Sequence, residues 1–152
     1  MTESLFGHFL VPSDGSEGSI QAAQLAFRMA RTFGTRVTLL YVIDRLVLEE
    51  LTRFSERREP EVRRELEETG RHFLAYLEEL ARQEGVEIHV AIREGEPHQE
   101  IVAVADELSV DLIVMGHVGR RGPRRILIGS VTERVIEFAH CPVLVVKNYA
   151  RR

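Results

Sequence analysis

Short apolar runs alternate with helical apolar stripes along nearly the whole of this chain, and that rhythm restricts its fold more than any other feature. His8-Phe9-Leu10-Val11 reads as a strand closed by the turn formers Pro12-Ser13-Asp14-Gly15. Ser16 or Ser13 is placed to cap the segment that follows. From Ser19 to Phe33, Ile20, Ala23, Leu25, Ala26, Phe27 and Ala30 give a stripe of mostly helical spacing, with Gly34 at the stop position. Val37 to Ile43 is rich in β-branched and aromatic residues and reads as the second strand.

The segment from Asp44 to Glu59 mixes charges with Leu46, Leu48, Leu51 and Phe54, and is open to reading as helix, loop or both. Pro60 suits the first turn of a long helix whose buried face is Val62, Leu66, Phe73, Leu77 and Leu80, ended by Gly85. Val86 to Ile92 alternates apolar and polar residues, the pattern of a strand exposed on one face near a sheet edge. Glu96-Pro97 opens another helix with Ile101, Val102, Val104, Ala105 and Leu108 as its core side. Leu112 to Met115 is continuously apolar, as in a strand covered on both faces. Ser130 to Ala139 reads as the last helix, stopped by Pro142, and Val143 to Lys147 as the last strand. Five strands alternating with four helices imply parallel pairing through right-handed crossovers. The expected fold is an α/β open five-stranded parallel sheet with helices on both faces, over a single domain of residues 1–152.

Composition removes several functions. At 44% hydrophobic and 29% charged residues the chain reads as an ordinary soluble globular protein. A formal net charge of −4 argues against a general nucleic-acid or anionic-membrane binder. Runs such as Val143-Leu144-Val145-Val146 are far too short to span a bilayer. The opening residues Met1 to Phe6 lack the basic and apolar regions of a secretory signal, and Cys141 is the sole cysteine. A cytoplasmic location is the expectation. The six histidines, His8, His72, His89, His98, His117 and His140, show no metal-ligand spacing, and Cys141 reads as a small apolar residue at a helix–strand junction. Arg57 to Glu65 reads as a solvated helix surface with mixed charge pairs.

In open α/β sheets ligands lie at the carboxyl ends of strands, where strand order reverses. Three stretches meet that condition: Pro12-Ser13-Asp14-Gly15, Ile43-Asp44, and Gly116 to Ser130. The last is the most telling. Val114-Met115-Gly116-His117 leaves a strand, Gly119 to Arg125 is a basic loop, and Gly129-Ser130-Val131 opens a helix. Glycines admit close backbone approach, and a helix N-terminus offers unpaired N–H groups and a favourable dipole to an anion. This reads as a phosphate cradle, with the phosphates carried by a nucleotide. His117 lies inside it, within reach of phosphate. The arginines Arg120, Arg121, Arg124 and Arg125 read as phosphate contacts or as a solvated loop, and Pro123 removes one backbone donor. RNA is not the expected partner, since no aromatic residue interleaves with the arginines to stack bases. Asp14 reads equally as a helix cap or a ligand group.

Over nearly its whole length the chain resembles the universal stress protein family. The resemblance is carried by Leu10-Val11-Pro12-Ser13-Asp14-Gly15-Ser16, Tyr41-Val42-Ile43-Asp44, Asp111-Leu112-Ile113-Val114-Met115-Gly116, Gly129-Ser130-Val131-Thr132-Glu133-Arg134-Val135 and Cys141-Pro142-Val143-Leu144-Val145-Val146. The ATP-binding branch of that family carries G-x2-G-x9-G-[S/T], which Gly116, Gly119, Gly129 and Ser130 satisfy. The resemblance implies strand order 3-2-1-4-5 and main-chain amides at the three glycines reaching triphosphate and ribose. It also implies phosphate contacts from Ser130 and Val131, an acidic Asp14 near the nucleoside or its Mg²⁺, and Val42 meeting adenine through its backbone. Pro12, Ser13, Met115, His117 and Arg120 complete the candidate nucleotide-binding set. Val143, Leu144, Val145 and Val146 match the strand through which family members dimerise edge to edge, and an exposed edge needs a partner or protection.

The function these readings imply is an ATP-binding, homodimeric stress-response switch with a further protein partner. Hydrolysis is expected to be slow or absent, because the cradle lacks the Walker pattern G-x4-G-K-[S/T] and no carboxylate is clearly placed to orient water. The alternatives are an interaction module of the same fold that has lost the nucleotide, or a nucleotide hydrolase.

Overall fold

A computed structural model describes residues 5–117 and 128–147. Along the chain run β1 (His8–Pro12), α1 (Glu17–Phe33), β2 (Arg36–Asp44), α2 (Arg45–Ser55), α3 (Glu59–Gln83), β3 (Ile88–Gly95), α4 (Pro97–Leu108), β4 (Leu112–Gly116), α5 (Ser130–Phe138) and β5 (Val143–Val146). The strands form one parallel sheet in the order β3-β2-β1-β4-β5. This is the architecture expected from the alternation of apolar runs and helical stripes.

Side-chain alternation along the strands divides the core in two. Phe9, Val11, Val37, Leu39, Tyr41, Leu112 and Val114 point to the face covered by α1 and α3, where they meet Ala22, Ala26, Phe27, Leu74 and Leu77. Leu10, Leu40, Ile113 and Met115 point to the other face and meet Ile101, Val104 and Ala105 of α4 and Val135 of α5. The central strand β1 is buried throughout, which is why it reads as an unbroken apolar run. β3, at one edge, leaves His89 and Val90 exposed.

Five helices are present among the described residues, one more than the sequence rhythm implied. Asp44 caps the added helix, α2, its carboxylate accepting the Leu46 N–H at 3.0 Å. α2 buries only Leu48, while Leu46 and Phe54 are 65% and 78% exposed, so it shows no core stripe. Three further expectations shift. Val86 belongs to the exit turn of α3, where its N–H reaches the Ala81 carbonyl at 3.1 Å, so β3 starts later and runs on to Gly95. Leu108 is exposed, because the chain turns at Ser109 (φ 51°) and α4 packs instead through His98, Ile101, Val104 and Ala105. Lys147 lies beyond β5 and is exposed.

Candidate functional site

Strand order reverses between β1 and β4, and the sheet opens there. β1 pairs with β2 as far as Pro12↔Leu40, but with β4 only at Phe9↔Leu112 and Leu10↔Ile113. Since β1 continues to Pro12 and β4 to Gly116, the two strands part at their carboxyl ends. The result is a crevice at the position where open α/β sheets take ligands.

On the β1 side Pro12 is buried, and the Ser13 N–H donates to the Leu40 carbonyl at 2.8 Å. Ser13 is itself buried, its hydroxyl 3.5 Å from the Val11 carbonyl. Asp14 lies in the turn after β1, not on the strand, and is exposed. It does not cap α1. Ser16 does, its hydroxyl accepting the Ser19 N–H at 3.1 Å, while Asp14 accepts the Ser16 N–H at 2.9 Å. Val42, half-buried, follows Leu40 by two residues on β2, so its amide and carbonyl face the β1 side beyond the last β1 pair.

The β4 side is built by close backbone packing. Met115 is buried in the cluster beneath α4 and α5. A Cβ on Gly116 would lie 2.9 Å from the Gly18 carbonyl carbon and 3.0 Å from its oxygen. The first glycine of the pattern is therefore required by the first turn of α1, whatever else it admits. The Thr132 hydroxyl donates to the Gly116 carbonyl at 2.9 Å, and the Gly129 N–H donates to the His117 carbonyl at 2.8 Å. The His117 N–H in turn donates to the Val146 carbonyl at 3.1 Å. These bonds seat the start of α5 against the end of β4 and tie both to β5.

α5 begins at Ser130, which is exposed, behind the buried N-cap Gly129; no side chain caps it, and Val131 is half-buried. Its leading amides and dipole favour negative charge there. The Nε2 of His117 is buried and has no hydrogen-bond partner among the described residues. Gly119, Arg120 and the arginines to Arg125 lie outside the described residues. Sequence reasoning missed Gly18 and Thr132. A glycine within the first turn of a helix, as in Glu17-Gly18-Ser19, is a signal of close approach that could have found the former.

Among the described residues no group of three His, Cys, Asp or Glu side chains is arranged to hold a metal ion. A single exposed carboxylate such as Asp14 suits Mg²⁺ arriving with phosphates, since that ion keeps waters and needs one or two protein carboxylates. Cys141 is half-buried, and burial pushes its thiol up from its ordinary value, so it is a poor nucleophile. A second concavity, about 370 Å³, lies at the opposite end of the sheet between Gly7, Arg31, Gly34, Arg36 and Glu87. The carboxyl end of α1 points there, which disfavours an anion despite the arginines.

Along β5, the carbonyls of Pro142 and Val146 accept from β4, so the main-chain groups of Val143 and Val145 face the free edge. Val143, Leu144 and Val145 are half-buried and Val146 is buried.

Comparison with known proteins places this geometry. A model described as the Universal stress protein family matches residues 5–147. Universal stress protein MJ0531 of Methanocaldococcus jannaschii is 42% identical over 146 residues, which cover 96% of this chain and 85% of that protein. The solved structure of MJ0577, from the same organism, superposes with a TM-score of 0.79 at 32% identity, covering 97% of this chain and 99% of that one. A universal stress protein from Archaeoglobus fulgidus, solved in complex with dAMP, shares the fold at a TM-score of 0.68 and 24% identity over 94% of this chain and 99% of its own.

Proposed function

This chain belongs to the universal stress protein family, and from that premise we propose that it binds an adenine nucleotide, ATP with Mg²⁺, in the crevice between β1 and β4. The observation that carries the reading is the parting of those strands beside the uncapped start of α5. There Gly129, Ser130 and Val131 offer helix amides to phosphate. Val42 offers main-chain groups facing the β1 side to the base, and Asp14 offers a carboxylate to the metal. Gly119 and Arg120 complete the phosphate loop in sequence. A family relative of the same fold was solved with dAMP, which supports an adenine nucleotide as the ligand class.

Bound metal would neutralise phosphate charge; the chain's own residues hold and orient the nucleotide. Neither Asp14, already accepting the Ser16 N–H, nor any described Lys in a Walker pattern supplies an evident hydrolytic group. The function is that of a cytoplasmic switch rather than a fast ATPase: binding orders the phosphate loop and changes what protein partner the surface accepts. The switch acts as a homodimer, with Val143 and Val145 pairing across the free edge of β5.

One observation favours a second reading, an interaction module without nucleotide. Gly116 has a complete structural reason in its contact with Gly18, so its presence alone does not require a ligand. Thermal unfolding with and without millimolar ATP and Mg²⁺, after mass spectrometric identification of any co-purified nucleotide, separates the two. A ligand at about a hundred times its dissociation constant adds about 2.7 kcal/mol. A clear rise in Tm supports nucleotide binding. No rise and no bound nucleotide select the interaction module.

A further inference from the structure

β3 is the longer edge of the sheet, 8 residues against 4 in β5, and it runs along β2 without a bulge from Ile88 to Gly95. Among the described residues no strand pairs with its other side. The Val37 N–H donates to the Glu87 carbonyl at 3.2 Å, so Glu87, His89, Ala91 and Arg93 turn their main chain to β2. Ile88, Val90 and Ile92 turn theirs to the free edge. Sheet edges are commonly blunted by lysine, proline or a bulge, and Ile88 to Ile92 carries none of them. Instead Val90, at the centre, is 45% exposed between the half-buried Ile88 and Ile92.

We propose that this edge is an interface for a second copy of the chain: two β3 strands pair antiparallel about a twofold axis at Val90 and join two sheets into one. The register is self-complementary. Val90 meets its own copy and Ile88 meets Ile92, on the face where both isoleucines pack into the cluster beneath α1 and α3. On the α4 face, where Arg93 pairs with Glu107, the same register sets Arg93 opposite Glu87 of the second copy, and the Glu87 side chain is 74% exposed. Opposite charges facing each other across strands stabilise the pairing, and like charges oppose it. Paired residues must share a face, so the nearest other registers set His89 against itself or against Arg93. α3 and α4 each pack across β2 and β3. In the joined sheet the two copies of each helix therefore run about 10 Å apart, the spacing of packed helices. This interface is separate from β5 and from the nucleotide crevice, and the proposal rests on neither.

The test is oxidative cross-linking by diamide of Val90→Cys in a Cys141→Ser background, read on non-reducing gels. Ser55→Cys in the same background is the control, since Ser55 is exposed at the end of α2. At a hydrogen-bonded antiparallel pair the Cα atoms lie about 5.5 Å apart, within disulfide reach. Val90→Cys should form a covalent dimer about tenfold faster than Ser55→Cys at equal concentration. Sedimentation velocity of charge variants supplies a second readout, all of them carrying Val145→Pro to weaken pairing at β5. Glu87→Arg should weaken the remaining self-association about tenfold, and Glu87→Arg with Arg93→Glu should restore most of it. Equal cross-linking rates in the two cysteine variants would overturn the proposal. So would self-association that Glu87→Arg leaves unchanged, or that the charge exchange fails to restore.

Discussion

The two ends of the sheet each hold a histidine with a buried, partnerless ring nitrogen among the described residues, His8 buried and His117 half-buried, and their settings differ. At the amino end His8 is locked into the chain. Its Nε2 lies 2.7 Å from the Thr38 hydroxyl, and its N–H, with that of Gly7, donates to Asp111 at 2.9 and 2.7 Å. At the carboxyl end His117 is fixed only through its backbone, and its ring nitrogen is left unpaired beside the uncapped start of α5. One end spends its polar groups on joining β1 to β2 and to the start of β4. The other keeps groups uncommitted where the strands part. On the proposed function, stability and ligand binding lie at opposite ends of the same strands.

Substitutions that act at one end and not the other would break or sharpen that contrast. Gly116→Val should have the largest effect, because the new side chain meets the Gly18 backbone: a loss of about 3 kcal/mol in urea unfolding. Ser130→Asp puts a negative charge at the start of α5, where the proposed phosphate would lie. It should weaken ATP binding about 100-fold in titration while leaving unfolding nearly unchanged, since an acidic residue is welcome at a helix start. Asp111→Ala is its mirror image. Two amides lose their acceptor, at a cost of about 2 kcal/mol in the same unfolding assay, with ATP affinity held within about twofold. At the sheet edge Val145→Pro removes an outward-facing N–H without touching the β4 pairing. Dimer dissociation measured by sedimentation equilibrium should rise about tenfold.

The smallest effect concerns pH. Burial holds His8 below its ordinary value of 6.5, with Arg36 and His89 adding to the depression and Asp111 opposing it. Above about pH 6.5 the ring is neutral in folded and unfolded chains alike. As the pH falls through that value the unfolded chain takes up the proton first, so stability declines until the lower folded pKa is passed. His8→Gln should flatten that decline in unfolding free energies compared between about pH 7.5 and pH 5.

These contrasts also separate what the sequence can and cannot display. The sheet and its helices are legible because Phe9 and Val11 face one layer and Leu10 the other, so burial on both sides leaves an unbroken apolar run. The edge position of β3 is legible in the apolar–polar alternation from Val86 to Ile92, although Val90 of its apolar face is exposed and Ala91 packs against the core. α2 is not, because Leu46, Leu51 and Phe54 face outward, only Leu48 is buried, and its start is set by a single Asp44 hydrogen bond. At the site, Gly116, Gly129 and Ser130 are visible as a spacing, but the spacing does not say that Gly116 answers to Gly18. Nor does it show Thr132 gripping the Gly116 carbonyl, which depends on how α5 seats on the sheet; Ser16, the cap of α1, is among the candidates the sequence itself offers.

The most direct measurement is amide hydrogen exchange with and without ATP·Mg²⁺, resolved along the chain. The account predicts slowed exchange at residues 112–117 and 128–135, with Gly7, His8 and the Asp111 turn unchanged. Equal exchange in both conditions, or protection appearing first at the amino end around Gly7 and His8, would contradict it.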